Sequence, residues 1–288
     1  MPQRPPPPAL SDAPLAAGLY LVATPIGNLR DITLRALDVL AGVDLILAED
    51  TRVTGKLLSA YGISKRLERY DEHGAARTRP KALAALAGGG RLALVSDAGT
   101  PLVSDPGYRL VGEALAAGVA VWPIPGASAA LAGLSVAGLP TDRFLFAGFP
   151  PPKSAARRTF LEGLKAERAT LIFYEGASRL GVSLADMAAV LGERPAAVAR
   201  ELTKLHETVV RGSLAALAAD PALAAPKGEI VIVVGGAPDA APDAEGAEAA
   251  LTEALARLSP ADAAREVAAA TGLPRRDLYR QALALKGR

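Results

Sequence analysis

"RLALVSDAGTPLVSDPG", residues 91–107, joins two kinds of sequence whose combination decides the fold. RLALVSD (91–97) is a short run of Leu, Ala and Val closed by turn residues, which reads as a strand buried on both faces. SDAGTPLVSDPG (96–107) then packs Gly, Pro, Asp and small hydroxyl residues more densely than a simple connection needs. Glycine allows the backbone to approach a ligand closely and proline fixes the turn, so such a loop can present its own N–H and C=O groups to a bound molecule.

Similar runs recur upstream and downstream: LYLVAT (19–24), DLILAE (44–49) and VAVWPIP (119–125). Between them lie Ala/Leu segments of helical period. ITLRALDVLAG places Leu34, Leu37 and Leu40 on one face before Gly42, and DPGYRLVGEALAAG starts behind Pro106 and stops at Gly118. This alternation predicts an α/β sheet. If its strands are mainly parallel, TPIGN after Ala23, DTRVTGK after Glu49, AGTP after Asp97 and GASAA after Pro125 all gather at the edge where α/β sheets bind ligands. From about Asp142 the pattern shifts to RFLFAGF, ATLIFYEG, AAVARELT, ETVVRGSL and GEIVIVVGG, with fewer helices, which predicts a second, mixed sheet.

The expected organisation is a disordered Pro-rich tail (1–17), an N-terminal α/β domain (18–125), a C-terminal α/β domain (126–236), a linker (237–246) and a helical C-terminal domain (247–288). In the last, Ser259 suits a helix cap, Gly272 and Pro274 a turn, and the second helix carries Arg275, Arg276 and Arg280. That arrangement suits a small nucleic-acid-binding module, and it suits an amphipathic hairpin packed on the body or on a partner as well.

Composition narrows the chemistry. The chain of 288 residues is 50% hydrophobic, enough for two cores, and its 32 Lys and Arg against 30 Asp and Glu leave a net charge of +2, so any basic surface is local. It has no cysteine, which removes disulfides and thiolate chemistry, and only two histidines, His73 and His206, so no metal site is expected. His73 reads as a polar loop residue and His206 as structural. ATPIGN lacks the glycines of a dinucleotide loop, TGKL lacks the spacing of a P-loop, and GASAAL lacks a nucleophile elbow. No run approaches a membrane span, so a soluble protein is expected, and the lack of cysteine is compatible with a reducing, cytoplasmic setting.

The motifs AEDTR, SDAGTPLVSDPG, PGAS, FAGFPPPKSAAR, FYEGASR, RELTK and KGEIVIVVGG stand in the order and near the spacing of the ribosomal small subunit methyltransferase I family, within the tetrapyrrole methylase superfamily. The chain resembles that family over about residues 18–236, and its C-terminal helical unit resembles the family's extra domain. The resemblance implies two α/β domains with S-adenosylmethionine (S-adenosyl-L-methionine) in the cleft between them, a homodimer, and 2'-O-methylation of a cytidine in the decoding region of 16S rRNA in the small ribosomal subunit. Matched motif by motif, the cofactor contacts fall on Ile26, Ala98, Gly99, Thr100, Val103, Ser128, Ala129, Glu175 and Leu202. Related enzymes commonly carry Asp where this chain has Thr100. The chain also departs at YDEHGAA (70–76) and YEGASR (174–179), where His73, Glu175 and Arg179 keep the family's residues and their neighbours do not.

A ribose hydroxyl is a poor acid, so a base or a cation is needed beside it. Glu201 and Asp50 are the candidate catalytic carboxylates. Arg52, Lys153, Arg157, Arg158, Lys204, Arg275, Arg276 and Arg280 are the candidate RNA-binding cations, because 4% aromatic content is too sparse for a stacking platform. Asp50 with Arg52 equally suits a helix cap and its ion pair, and Glu201 suits an ion pair at a strand edge. Two other functions remain open on this reading: a tetrapyrrole C-methyltransferase, and a non-catalytic RNA-binding assembly factor.

Overall fold

The computed structural model describes residues 10–11, 13–72, 74–224, 226–238 and 244–286; His73 lies outside them. The chain divides into two compact units, residues 1–236 and 237–288. The first begins with strands β1 (Gly18–Val22), β2 (Leu45–Ala48), β3 (Leu67–Arg69), β4 (Arg91–Val95) and β5 (Val121–Ile124), connected through helices α1 (Leu34–Gly42), α2 (Thr51–Ala60), α3 (Ala75–Ala87) and α4 (Tyr108–Ala116). The strands form one parallel sheet in the order β3-β2-β4-β1-β5.

Successive strand residues point to opposite faces, and both faces are apolar. Tyr20, Val22, Ile46 and Ala48 pack with Leu37 and Leu40 of α1 and Leu58 of α2. Leu19, Leu47, Leu92 and Leu94 pack on the other side with Leu86 of α3 and Leu110 of α4. Thr33 caps α1 by accepting the Ala36 N–H, and Asp50 caps α2 by accepting the Arg52 N–H. Strand β3 is short and carries Glu68 and Arg69, so it has no apolar run to announce it.

The chain then builds a second sheet. Helix α5 (Ala129–Ala137) is followed by β6 (Phe144–Gly148), α6 (Ser154–Glu162), β7 (Thr170–Gly176), α7 (Leu180–Leu191), β8 (Pro195–Arg200), β9 (Thr208–Ser213), α8 (Leu214–Ala219) and β10 (Glu229–Val234). The order is β6-β7-β10-β8-β9; β6 runs parallel to β7, and the other pairs are antiparallel. Helix α5 covers one face through Ala130, Leu134 and Ala137. It approaches closely because position 133 is glycine: a Cβ there would lie 2.6 Å from Val231 Cγ1. Leu161 of α6, Leu184 and Met187 of α7 and Leu214 of α8 cover the other face.

In the second unit α9 (Ala244–Leu255), α10 (Pro260–Thr271) and α11 (Arg275–Lys286) share a core of Leu251, Ala263, Val267 and Leu278. Ser259 caps α10 by accepting the Asp262 N–H, and Gly272 ends it at φ 70°. No described helix is long and apolar enough to cross a membrane.

Three expectations need correction. The end of the segment read as a tail is docked: Leu15 packs against Gly42, and the Ser11 N–H donates to Asp38 at 2.8 Å. Helix α9 begins at Ala244, inside the segment read as a linker, because Ala and Glu there favour helix; residues 239–243 lie outside those described. Arg157 is not a surface cation. Its side chain is 2% exposed, its guanidinium holds Asp186 at 2.7 Å, and it donates to the Pro151 and Pro152 carbonyls.

Asp186 is the hub of that cluster, accepting from Arg157, Arg158 and Ser154. Burial opposes its ionisation, but these hydrogen bonds outweigh the penalty and hold the carboxyl below its ordinary value. Asp186→Ala strands the Arg157 charge and is expected to lower the unfolding free energy by about 3–5 kcal/mol, measured by urea denaturation. Because the folded-state pKa is depressed, the deficit is full above about pH 4 and narrows as acid protonates Asp186 in the wild type.

Candidate functional site

The parallel sheet directs the ends of β1, β2, β4 and β5 to one edge, where their loops face the second sheet across a cavity of about 380 Å³. From the first sheet come Ile26, Glu49, residues 97–100 and residues 103–105; from the second come Phe149, residues 174–176, Leu202 and residues 228–231; Ser128 and Ala129 begin α5.

The loop after β4 is held in this place by backbone bonds. Thr24 N–H donates to the Gly99 carbonyl at 2.9 Å, and Gly99 N–H donates back to Thr24 at 3.0 Å. The buried Thr24 hydroxyl donates to the Ser96 carbonyl at 3.1 Å. Asp97 accepts the Asp50 N–H at 2.9 Å, which ties the loop after β2 to the same frame. Opposite, the Ala130 N–H donates to the Tyr174 hydroxyl at 3.0 Å, fixing the start of α5 on β7.

Backbone strain is concentrated here. Among the described residues the non-glycine positions with left-handed φ are Leu102, Ser104, Glu201 and Thr203, and all four belong to the two loops flanking the cavity. The 201–204 loop is also tightly enclosed. A Cβ on Gly27 would lie 2.5 Å from Lys204 Cγ, and one on Gly228 would lie 2.4 Å from Glu201 Oε1.

Three carboxylates converge at the cavity. Burial raises the Glu49 and Asp97 carboxyls above their ordinary values, and neighbouring acids add to the rise. Asp105 is pushed up to about 6, first by burial and then by repulsion from Glu49 and Asp97, with the Ser96 hydroxyl pulling the other way. Their raised proton affinity makes these carboxyls better proton acceptors than unperturbed ones. Among the described residues no group of three His, Asp or Glu is arranged to hold a metal ion.

The nine positions matched to cofactor contacts all line this one cavity. Thr100 donates its hydroxyl to the Ala127 carbonyl at 3.1 Å, joining two loops. Glu175 is saturated by Gly176 N–H, the Ser183 hydroxyl and Arg179, so it braces the wall.

The carboxylates proposed for catalysis lie elsewhere. Asp50 does not line the cavity; it caps α2 and pairs with Arg52, whose hydrogen bonds hold it well below the carboxylate range. Glu201 does not line the cavity either; it is bound by Lys204 at 2.9 Å and by the Glu229 N–H, and the lysine holds it below its ordinary value. Both depressed groups are poor bases. Arg52, Lys153 and Arg158 are exposed, although Arg158 also contacts Asp186. Lys204 is half-buried between Glu201 and Glu229. Arg275, Arg276 and Arg280 are exposed on the second unit, and Arg280 pairs with Asp277. His206 is exposed on the surface. Sequence reasoning missed Glu49, Asp105 and Tyr174.

A family model described as Tetrapyrrole (Corrin/Porphyrin) Methylases matches residues 18–218, and one described as the RsmI C-terminal HTH domain matches residues 240–286. Over 275 residues the chain is 54% identical to the ribosomal RNA small subunit methyltransferase I of Mesorhizobium japonicum, covering 95% of this chain and 94% of that protein. The chain belongs to the ribosomal RNA small subunit methyltransferase I family of tetrapyrrole methylases.

Other relatives of that name are 57% identical over 96% of this chain and 98% of the protein in Erythrobacter litoralis, and 49% identical over 93% and 96% in Escherichia coli O157:H7. The fold is also that of uroporphyrin-III-C-methyltransferase from Thermus thermophilus, with TM-score 0.55 and 24% identity over 76% of this chain and 94% of that one. Diphthine synthase shares it at TM-score 0.55 and 16% identity, over 75% and 89%.

Tetrapyrrole methylases take S-adenosylmethionine as methyl donor. The cavity suits that cofactor: its volume falls within the range of small-molecule sites, its loops offer backbone groups, Leu202, Ile230 and Val231 offer apolar wall, and its acids favour a sulfonium. Gly99 sits at φ 85°, and a Cβ there would lie 3.4 Å from Ile26 Cγ2. Gly99→Val is therefore expected to weaken S-adenosylmethionine binding about tenfold or more, read by isothermal titration calorimetry.

Proposed function

We propose that this chain methylates ribosomal RNA, transferring the methyl group of S-adenosylmethionine to the ribose 2'-hydroxyl of a cytidine in the decoding region of the small subunit. The relatives' common name supports the RNA substrate. The observation that carries the chemistry is Asp105, a cavity carboxyl raised to about 6.

Bound S-adenosylmethionine supplies a methyl group already activated by positively charged sulfur, so the protein needs no covalent intermediate. Its tasks are to align the acceptor oxygen and to remove a proton. The loops at 97–100 and 128–129, with Ile26, Val103 and Leu202, hold the cofactor. Asp105 accepts the 2'-hydroxyl proton as the carbon–oxygen bond forms; the donor's carbon–sulfur bond would break in the same step, with its electron pair staying on sulfur. A carboxylate with this pKa is ionised at neutral pH, yet is a better proton acceptor than an unperturbed aspartate. Glu49 and Asp97 keep Asp105 basic by repulsion. Asp50 and Glu201 hold loops in place.

RNA is held by the exposed cations Arg52, Lys153 and Arg158, and by Arg275, Arg276 and Arg280 of the second unit, in a cytoplasmic homodimer acting on the small subunit. The tetrapyrrole alternative rests on fold likeness at 24% identity.

Asp105→Asn is expected to lower kcat for methylation of small subunits about a hundredfold or more at saturating S-adenosylmethionine, a loss beyond any weakening of cofactor affinity. The test is a radiolabel assay with the product nucleoside mapped by mass spectrometry. Because the base must be unprotonated, the wild-type rate at limiting RNA rises with pH through about 6 and then levels. A variant with near-normal rates assigns the proton to another group.

A further inference from the structure

A second cavity, of about 300 Å³, opens on the α2 side of the same sheet edge. Pro25 and Leu29 of the loop after β1, and Val53 and Leu57 of α2, give it apolar walls. Two of these side chains are unusually open for their type: Leu29 is 38% and Val53 40% exposed.

Polar groups stand at defined places in this apolar setting. Thr54 lines the cavity from α2, is 2% exposed, and its hydroxyl has no hydrogen-bond partner among the described residues. A buried hydroxyl without a partner is costly, and a ligand edge would satisfy it. Lys56 lines the same cavity. Asp97 lines both this cavity and the cofactor cavity, so the two meet at its side chain.

We propose that this second cavity is the base pocket of the acceptor nucleotide, taking a nucleobase whose exocyclic amine donates to Asp97 while its ribose lies in the cofactor cavity at Asp105. The proposal rests on the reading that the chain methylates ribosomal RNA. Apolar walls accept the faces of a base; a carboxylate accepts from an exocyclic amine, as acidic side chains do from cytosine. The Thr54 hydroxyl, able to donate or accept, meets the remaining edge. Lys56 meets the adjoining phosphate as a point charge. This pocket selects the base without the aromatic platform that the chain lacks.

The test uses the full-length protein and small ribosomal subunits from cells lacking it, with initial rates giving kcat and KM for subunits. Val53→Trp fills the cavity from its open side, and Thr54→Val removes the hydroxyl at nearly constant shape. Val53→Trp is expected to raise KM for subunits tenfold or more and Thr54→Val about three- to tenfold, with kcat and S-adenosylmethionine affinity each within twofold of wild type. The salt dependence of KM stays that of the wild type, since neither change removes a phosphate contact.

Unchanged KM in both variants overturns the pocket. So does a weakened affinity for S-adenosylmethionine in Thr54→Val, which would give the cavity to the cofactor, and so does a shallower salt dependence, which would make it a backbone contact. If Val53→Trp does not fold, Thr54→Val decides alone. Absence of label in subunits with the wild-type protein refutes the methylation reading itself, a result separate from any of these.

Discussion

Two reciprocal backbone hydrogen bonds between Thr24 and Gly99 set the geometry of everything at the sheet edge. They form an isolated antiparallel bridge just past the parallel β1–β4 pairing, so the loop after β4 leaves the sheet already anchored. Gly99 meets the requirement because its φ of 85° is costly for residues with a side chain. From that anchor the loop continues through Leu102 and Ser104, also left-handed, and delivers Asp105 to the cavity. Strain at two positions in one loop persists only where the surroundings over-determine it, and here the bonds of Thr24, Ser96 and Ala127 hold the start of the loop.

The same frame brings like charges together. Glu49, Asp97 and Asp105 come from two loops whose positions are fixed by backbone bonds, so mutual repulsion cannot push them apart and raises their proton affinity instead. Asp50 and Glu201 show the opposite case. Each has a cation within reach and is held ionised, fit to cap a helix or fasten a loop.

Much of this frame is legible in the sequence. Short apolar runs followed by Gly/Pro loops place four connections on one edge, and the cofactor positions carried by motif resemblance share one cavity. The individual carboxylates are less legible. Asp105 stands in SDPG, where aspartate is an ordinary turn residue, and its burial depends on the second sheet, far away in sequence. Arg157 stands beside Arg158 in a cation-rich run, and only helical geometry separates the buried one from the exposed one. A signal did exist: Asp186 interrupts the otherwise apolar helix LGVSLADMAAVL, and a buried acid requires a partner. Strand β3 offered none, because three residues with two charges lack any period.

The closeness of Gly27 to Lys204 links distant parts of the chain. The loop after β1 belongs to the first sheet and Lys204 to the β8–β9 loop of the second, yet no room for even a methyl group separates them. A bulkier residue at 27 is tolerated only if the side chain at 204 shortens, and a shorter residue at 204 releases Glu201 and Glu229 from their shared cation. The four positions are therefore coupled by space and charge together, and a change at one alters the fit of the other three.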